Sequence, residues 1–197
     1  TGGSTYTTGY DYDKTGNPKQ LRFPTSDATA RQGRVDYGYD AADRVSLVTT
    51  QINGATTTVT NAFQYQPFGP RSQFTFGNTL VDARSFDTRY QLGAWALGGL
   101  LNYTHVFNND GNLTSRTDNL NAANNRTFGY DEIHRLTDAA GLWGVGTACA
   151  AGATYSYDKN GNRQCKGETS PATTYAYTAS TNKLASSSGG EVAAYSY

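Results

Sequence analysis

At 197 residues, with 16 basic and 16 acidic side chains and zero formal net charge, the chain lacks the basic footprint that nucleic-acid binding needs. Leu, Ile, Val and Phe number only 30, a share that signals disorder when net charge is high. Here the charge is zero and 15 tyrosines supply large rings with polar tips, a composition suited to a partly covered β-sheet. No run of about 18 apolar residues occurs, so no helical membrane span is expected, and the most apolar stretch, Leu92 to Leu101, is short and glycine-rich.

Taken in chain order, one pattern keeps returning. Tyr10 and Tyr12 alternate, with period two, on one strand face and run into Asp13 and Gly16. Tyr37 and Tyr39 then lead into Asp40, and Arg44-Val45-Ser46-Leu47-Val48 reads as the returning strand. Phe63 and Tyr65 precede Gln66 and Gly69, while Phe86-Asp87 and Phe107-Asn108 carry the motif with phenylalanine, the latter followed by Gly111. Phe128 and Tyr130 precede Asp131, with Arg135-Leu136-Thr137 returning. Tyr155 and Tyr157 precede Asp158 and Gly161, and Tyr175 and Tyr177 precede Thr178.

The lead aromatics Tyr12, Tyr39, Tyr65, Phe86, Phe107, Tyr130, Tyr157 and Tyr177 are spaced by 27, 26, 21, 21, 23, 27 and 20 residues, so eight units fill residues 1–197 as one repeat region. Each unit is predicted to be a β-hairpin with a four- to five-residue connection. The Asx side chain is expected to close the turn by accepting amides two or three residues on, with Gly16, Gly69, Gly111 and Gly161 at positive φ. The turns in which Arg44 and Arg135 follow a non-glycine residue are expected to close differently. A single hairpin is marginal in water, so the units must pair edge to edge into a long twisted strip.

Three stretches interrupt the spacing and read as loops: Asn119–Asn125, Gly141–Gly152 and Ser186–Gly190. Trp95 and Trp143 each follow a turn motif in a Gly- and Ala-rich setting and read as partly buried anchors. Cys149 and Cys165 flank the hairpin that turns at Asp158 to Gly161. Counting back from that turn sets Cys149 opposite a residue near 170, so a disulfide needs a bulge or a bent approach, and two free thiols are the alternative.

Material for catalysis is sparse. His105 lies between Tyr103 and Phe107 on one strand face, and His134 occupies a turn position, so no catalytic residue is assigned. Asp11 and Asp13, and Asp110-Gly111, superficially resemble calcium loops but have no bidentate Glu downstream, so neither metal nor cofactor is expected. Arginines after the turns are expected to pair with aspartates of neighbouring hairpins.

The Tyr-Asp-x-x-Gly-Asn and Tyr-Asp-x-x-x-Arg-Leu turns, written best in GYDYDKTGNPKQL, YGYDAADRVSL, FGYDEIHRLT and YSYDKNGNRQ, resemble the RHS or YD-repeat family over essentially the whole chain. That family includes bacterial Rhs polymorphic toxins, the cocoon components of insecticidal toxin complexes, and teneurins. The resemblance implies a secreted or surface β-shell that spirals around a C-terminal toxin or effector, a structural role without enzymatic activity. It implies as partners the remainder of a longer parent with further YD repeats and an enclosed toxin domain, with no nucleic acid and no membrane span. The Asp-Pro-x-Gly-Leu signature of the family's closing segment has no counterpart, since no Asp-Pro dipeptide occurs, so self-cleavage does not carry over. Tyr195 and Tyr197 would open a ninth unit without a turn, and there is no methionine, which leads to the expectation of an excised segment. Its cut strand edges are expected to self-associate. The rival reading is an adhesion or carbohydrate-binding repeat in which open Tyr and Trp rings stack on sugars.

Overall fold

The computed structural model describes residues 7–23, 33–141, 149, 154–167 and 171–196. The chain is all-β, built from tandem antiparallel hairpins, and it divides into two compact units, residues 1–102 and 103–197.

In the first unit the strands are β1 (Gly9–Tyr12), β2 (Pro18–Arg22), β3 (Gly33–Tyr39), β4 (Val45–Ile52), β5 (Ala55–Tyr65), β6 (Arg71–Phe76), β7 (Val81–Phe86) and β8 (Leu92–Leu97). They hydrogen-bond in sequence order, every pair antiparallel. β9 (Leu101–Phe107) runs from the unit boundary into the second unit, where it pairs with β10 (Leu113–Asp118), followed by β11 (Arg126–Tyr130) and β12 (Leu136–Ala140). A five-stranded sheet follows: β13 (Tyr155–Tyr157), β14 (Arg163–Lys166), β15 (Thr173–Tyr177), β16 (Leu184–Ser188) and β17 (Ala193–Ala194). Sequence-neighbour pairing without crossovers is what tandem hairpins dictate, because each strand finds its partner across a short connection.

Each of the eight YD hairpins carries a β-bulge at the same place. The lead aromatic pairs with the first residue of the returning strand, and the next returning residue has no partner. Thus Gly38 faces Leu47 and Tyr39 faces Val45, which leaves Ser46 over. The same skip falls on Lys19, Ser72, Gly93, Thr114, Thr137, Gln164 and Ala185. A bulge adds local twist to an antiparallel pair, so its repetition puts extra twist at the turn end of every hairpin.

Most strand side chains are half-buried, and the few fully buried groups are scattered rather than gathered in a central core. Phe74 is one of them, stacked on Phe63 at 5.5 Å between centroids and edge-on to Phe76 at 4.6 Å. Arg71 lies over the Phe74 ring at 4.1 Å, so a guanidinium covers part of the apolar cluster.

The connections between hairpins differ from one another. Asn53-Gly54 makes a two-residue turn with φ of 53° and 83°, and Gly98-Gly99 makes another. Within 119–125 the chain forms a short 3₁₀ turn, Ala122–Asn124, capped by the Asn121 side chain. Ser186–Ser188, expected in a loop, belong to β16, because the hairpin register sets them against Ala176, Tyr175 and Thr174; the turn begins only at Gly189. Most of 141–152, Trp143 included, lies outside the described residues, as does Tyr197.

Cys149 and Cys165 are joined in a disulfide with Cα atoms 6.0 Å apart. Cys165 sits in β14 opposite Ser156 and Thr174, whereas Cys149 belongs to no strand. The bridge therefore pins the connection after β12 onto β14 and does not cross-link the hairpin's own two strands.

Candidate functional site

The most highly organised feature of the chain is the row of turns inside the hairpins. In six of them one side-chain oxygen accepts two backbone amides at 2.8–3.1 Å. Asp13, Asp40, Asp87, Asn108, Asp131 and Asp158 each take the amides two and four residues on. The amide three residues on is the other expected partner. That amide instead donates to the backbone carbonyl of the Asx residue, as Gly16 does to Asp13 and His134 to Asp131. A reverse turn followed by a left-handed residue results, one of the common three-residue hairpin loops.

Gly16, Gly111 and Gly161 hold that left-handed position with φ near 90°. In the Arg44 and Arg135 turns the same position is filled by Asp43 (φ 57°) and His134 (φ 64°). These turns close as the others do, contrary to expectation, because polar residues tolerate the left-handed region when the surrounding bonds impose it.

Gly69 departs in the other direction. It has no positive φ, and what demands glycine there is the ring of Tyr90, which a Cβ would strike. That turn closes through its backbone alone, Gln66 N–H to Pro70 O at 3.0 Å and Gly69 N–H to Gln66 O at 3.3 Å. Pro70 has no amide for an Asx oxygen to accept, so the loss of Asp at position 66 and the arrival of proline at position 70 go together. The Thr178 turn has an extra residue, running to Lys183 with Ser180 at φ 60°.

A second layer of bonds ties five of the turns to the preceding hairpin. The hydroxyl of the lead tyrosine donates to the carbonyl of the first residue on the preceding returning strand. Tyr39 reaches Pro18 (2.7 Å), Tyr65 reaches Val45 (2.6 Å), Tyr130 reaches Leu113 (2.9 Å), Tyr157 reaches Leu136 (2.9 Å) and Tyr177 reaches Arg163 (3.0 Å). Phe86 and Phe107 fill the same place without a hydroxyl. The first turn's Tyr12 lies on β1, where no earlier hairpin is described, and is 60% exposed.

The fifth residue of the turn makes a third link. Arg44 and Arg135 pair with the carboxylate of their own turn, Asp40 at 2.8 Å and Asp131 at 2.6 Å, and not with a neighbouring hairpin's carboxylate as expected, although Arg135 also donates from Nη1 to the backbone carbonyl of Asp158 in the next hairpin at 3.0 Å. The planar guanidinium then lies over the next lead tyrosine, Arg44 on Tyr65 at 4.5 Å and Arg135 on Tyr157 at 4.7 Å. Where asparagine stands in this place it reaches the next turn directly: Asn17 to Asp43 (3.2 Å), Asn112 to His134 (2.8 Å) and Asn162 to Asn182 (2.9 Å).

These hydrogen bonds stabilise the ionised turn aspartates. The Thr15 hydroxyl, with the Asn17 amides, holds Asp13 below the ordinary carboxylate value; the Arg44 amide and guanidinium do so for Asp40, and the Asn162 side chain for Asp158. Burial pushes Asp131 up, but the Arg135 amide and guanidinium outweigh it and bring that carboxyl down as well.

The remaining sequence candidates have structural partners. Trp95 donates from its indole nitrogen to buried Asp82 at 2.9 Å, and Arg84 pairs with the same carboxylate at 2.9 Å. His105 faces Tyr103 on β9, and burial, with Arg116 nearby, lowers its pKa. Asp11 is paired with Arg22, and among the described residues no group of three His, Cys, Asp or Glu side chains is placed to hold a metal.

A train of hairpins, many of them linked turn to turn, defines a tandem β-hairpin repeat protein. The particular fold is that of the RHS or YD-repeat shell. The chain aligns with a crystal structure of TcdB2–TccC3 without its hypervariable C-terminal region at a TM-score of 0.70 and 17% identity, over 91% of this chain and 10% of that one. A TccC3 mutant of the Photorhabdus luminescens Tc holotoxin pore gives 0.69 and the TcdB2–TccC3–Cdc42 structure 0.68, both at 17% identity with the same coverages of 91% and 10%. The chain thus spans 10% of the length of the toxin-complex chains that it matches. No family model and no curated protein matches the sequence.

Proposed function

We propose that this chain is a non-enzymatic wall segment of a secreted or cell-surface RHS shell, within a longer parent that encloses or delivers a C-terminal toxin or effector. The observation that carries the reading is the tyrosine-to-carbonyl link, which at five places ties a hairpin to the one before it. A wall requires such cohesion in one direction, and the likeness to toxin-complex structures supports the same use. The carbohydrate-binding rival needs open, coplanar rings. Several tyrosine faces are instead occupied by guanidinium groups, as at Tyr65, Tyr157 and Tyr175.

The test is limited proteolysis of the native parent, with peptide mapping before and after denaturation. The expected result is a C-terminal fragment of different composition that is protected while the repeats are folded and digested once they unfold. A parent without such a fragment, or with one cut as readily in the native state, overturns the reading.

A further inference from the structure

The sequence holds two Asn-Gly pairs, Asn53-Gly54 and Asn160-Gly161, and one Asp-Gly pair, Asp110-Gly111. All three occupy turns, and Asn53, Asp110 and Asn160 are exposed. Their glycine amides nevertheless stand in different circumstances. Gly161 N–H donates to Asp158 O at 3.1 Å and Gly111 N–H to Asn108 O at 3.1 Å, the bond on which every one of these hairpin turns closes. Gly54 lies in a two-residue turn between the paired residues Ile52 and Ala55, and among the described residues its amide donates to no backbone acceptor.

We propose that Asn53 is a site of spontaneous, non-enzymatic deamidation and that the YD turn shields Asn160 and Asp110 from the corresponding chemistry. The Gly54 nitrogen, after losing its proton to hydroxide, attacks Cγ of Asn53. A carbon–nitrogen bond forms to close a five-membered imide, the Cγ–Nδ2 bond breaks, and the side-chain nitrogen leaves as ammonia. Water then opens the imide at either carbonyl, giving aspartate or isoaspartate, with no oxidant or reductant needed. Crowding does not separate the two asparagines, because a Cβ placed at Gly54 or at Gly161 would meet nothing within 4 Å. The hydrogen bond on the attacking nitrogen does separate them. It must break before Gly161 can react, and the Asn160 amide is itself held by Asp158 Oδ1 at 2.8 Å. An isoaspartate would route the backbone through an additional methylene in a turn with no spare residue, so the pairing of Ile52 with Ala55 and of Gln51 with Thr56 would loosen.

The experiment is incubation of the native chain at mildly alkaline pH with timed peptide mapping, using fragmentation that separates aspartate from isoaspartate, beside a sample unfolded in denaturant. In the native chain Asn53 is expected to convert severalfold faster than Asn160, up to about tenfold, as the loss of one closing hydrogen bond implies, with little isomerisation at Asp110. In denaturant the two asparagines are expected to converge. Equal native rates, faster conversion at Asn160, or an inert Asn53 over a period in which the unfolded chain reacts would each overturn the proposal.

Discussion

The connections inside the hairpins repeat one plan, whereas those between them differ from one another, and only the loop at 77–79 shares the inner closing bonds, Phe76 N–H to Leu80 O at 2.8 Å and Thr79 N–H to Phe76 O at 2.9 Å. Inside, a single five-residue plan serves seven of the eight turns, with the same closing pair of backbone bonds and the same bulge on the returning strand. Between hairpins the chain uses Asn53-Gly54 once, a tight loop at 77–79 once, Gly98-Gly99 once and a capped 3₁₀ turn once. The difference shows where the periodicity is stored. Most of the inner turns are tied to a neighbouring hairpin through the tyrosine hydroxyl or the fifth residue, which favours their repetition. The outer connections only return the chain, so their lengths drift, and together with strand length they set unit steps between 20 and 27 residues; the 26-residue step from Tyr39 to Tyr65 has a two-residue connection but long strands, β4 and β5.

Redundancy follows from that division and gives the comparison its sharpest test. An inner turn is held by several bonds that the next turn echoes, whereas each outer connection relies on its own device. The largest single effect is therefore expected at the disulfide. Cys149→Ser or Cys165→Ser opens a loop of sequence separation 16 and should cost the second unit about 3 kcal/mol, read as a shift in the chemical-denaturation midpoint that a reducing agent reproduces in the unsubstituted chain. Next comes Gly77→Ala in the loop between β6 and β7. A Cβ there would strike the carbonyl oxygen of Thr58, a backbone atom that cannot step aside, and the overpacking should cost about 2 kcal/mol by the same measurement. A midpoint no different from the parent's would mean that the outer connections are as forgiving as the inner ones.

On the inner side, Tyr65→Phe removes the hydroxyl that donates to Val45 O at 2.6 Å and keeps the ring beneath Arg44. The expected cost is about 1 kcal/mol, the usual net worth of one such bond. A loss well above that would make the tyrosine link a keystone rather than one rung among several. Phe86 and Phe107 already show that the fold accommodates the missing hydroxyl.

How much of this was legible follows from what a local pattern can encode. The lead aromatic marks every hairpin and the Asx residue marks six of the eight, because a strand face and a turn cap are decided by neighbours within five residues. The tyrosine's acceptor lies 14 to 21 residues upstream in the chain, and no residue type marks it, since any carbonyl will serve. Asp43 and His134 depart from the glycine usual at this position, yet closure on both sides imposes the left-handed conformation, which Asp and His tolerate better than most side chains. Gly69 was read as a φ requirement when the demand comes from Tyr90, a contact between turns. The Asn53-Gly54 pair is a strong short-range hairpin signal, but it does not share the aromatic phase of the other turns.

The smallest effect also bears on the plan itself, because nature has made the corresponding substitution at Asn108. An amide oxygen there accepts the same two backbone amides as the aspartates do, at 3.0 and 2.9 Å, without a charge. Asp131→Asn should therefore keep the turn and lose only the pairing with Arg135. The acid response gives the sign. The Asp131 carboxyl lies below its unfolded value of 3.8 despite the opposing effect of burial, because the Arg135 amide and guanidinium favour the ionised form. Its contribution is thus fully present above that value and is lost as pH falls through the lower folded one. Denaturation midpoints measured from neutral pH downward should show the substituted chain slightly weaker at neutrality and less acid-sensitive than its parent, the two curves approaching each other at low pH. Parallel curves would mean that the charge contributes nothing, and that the turn depends on the geometry of an oxygen acceptor alone.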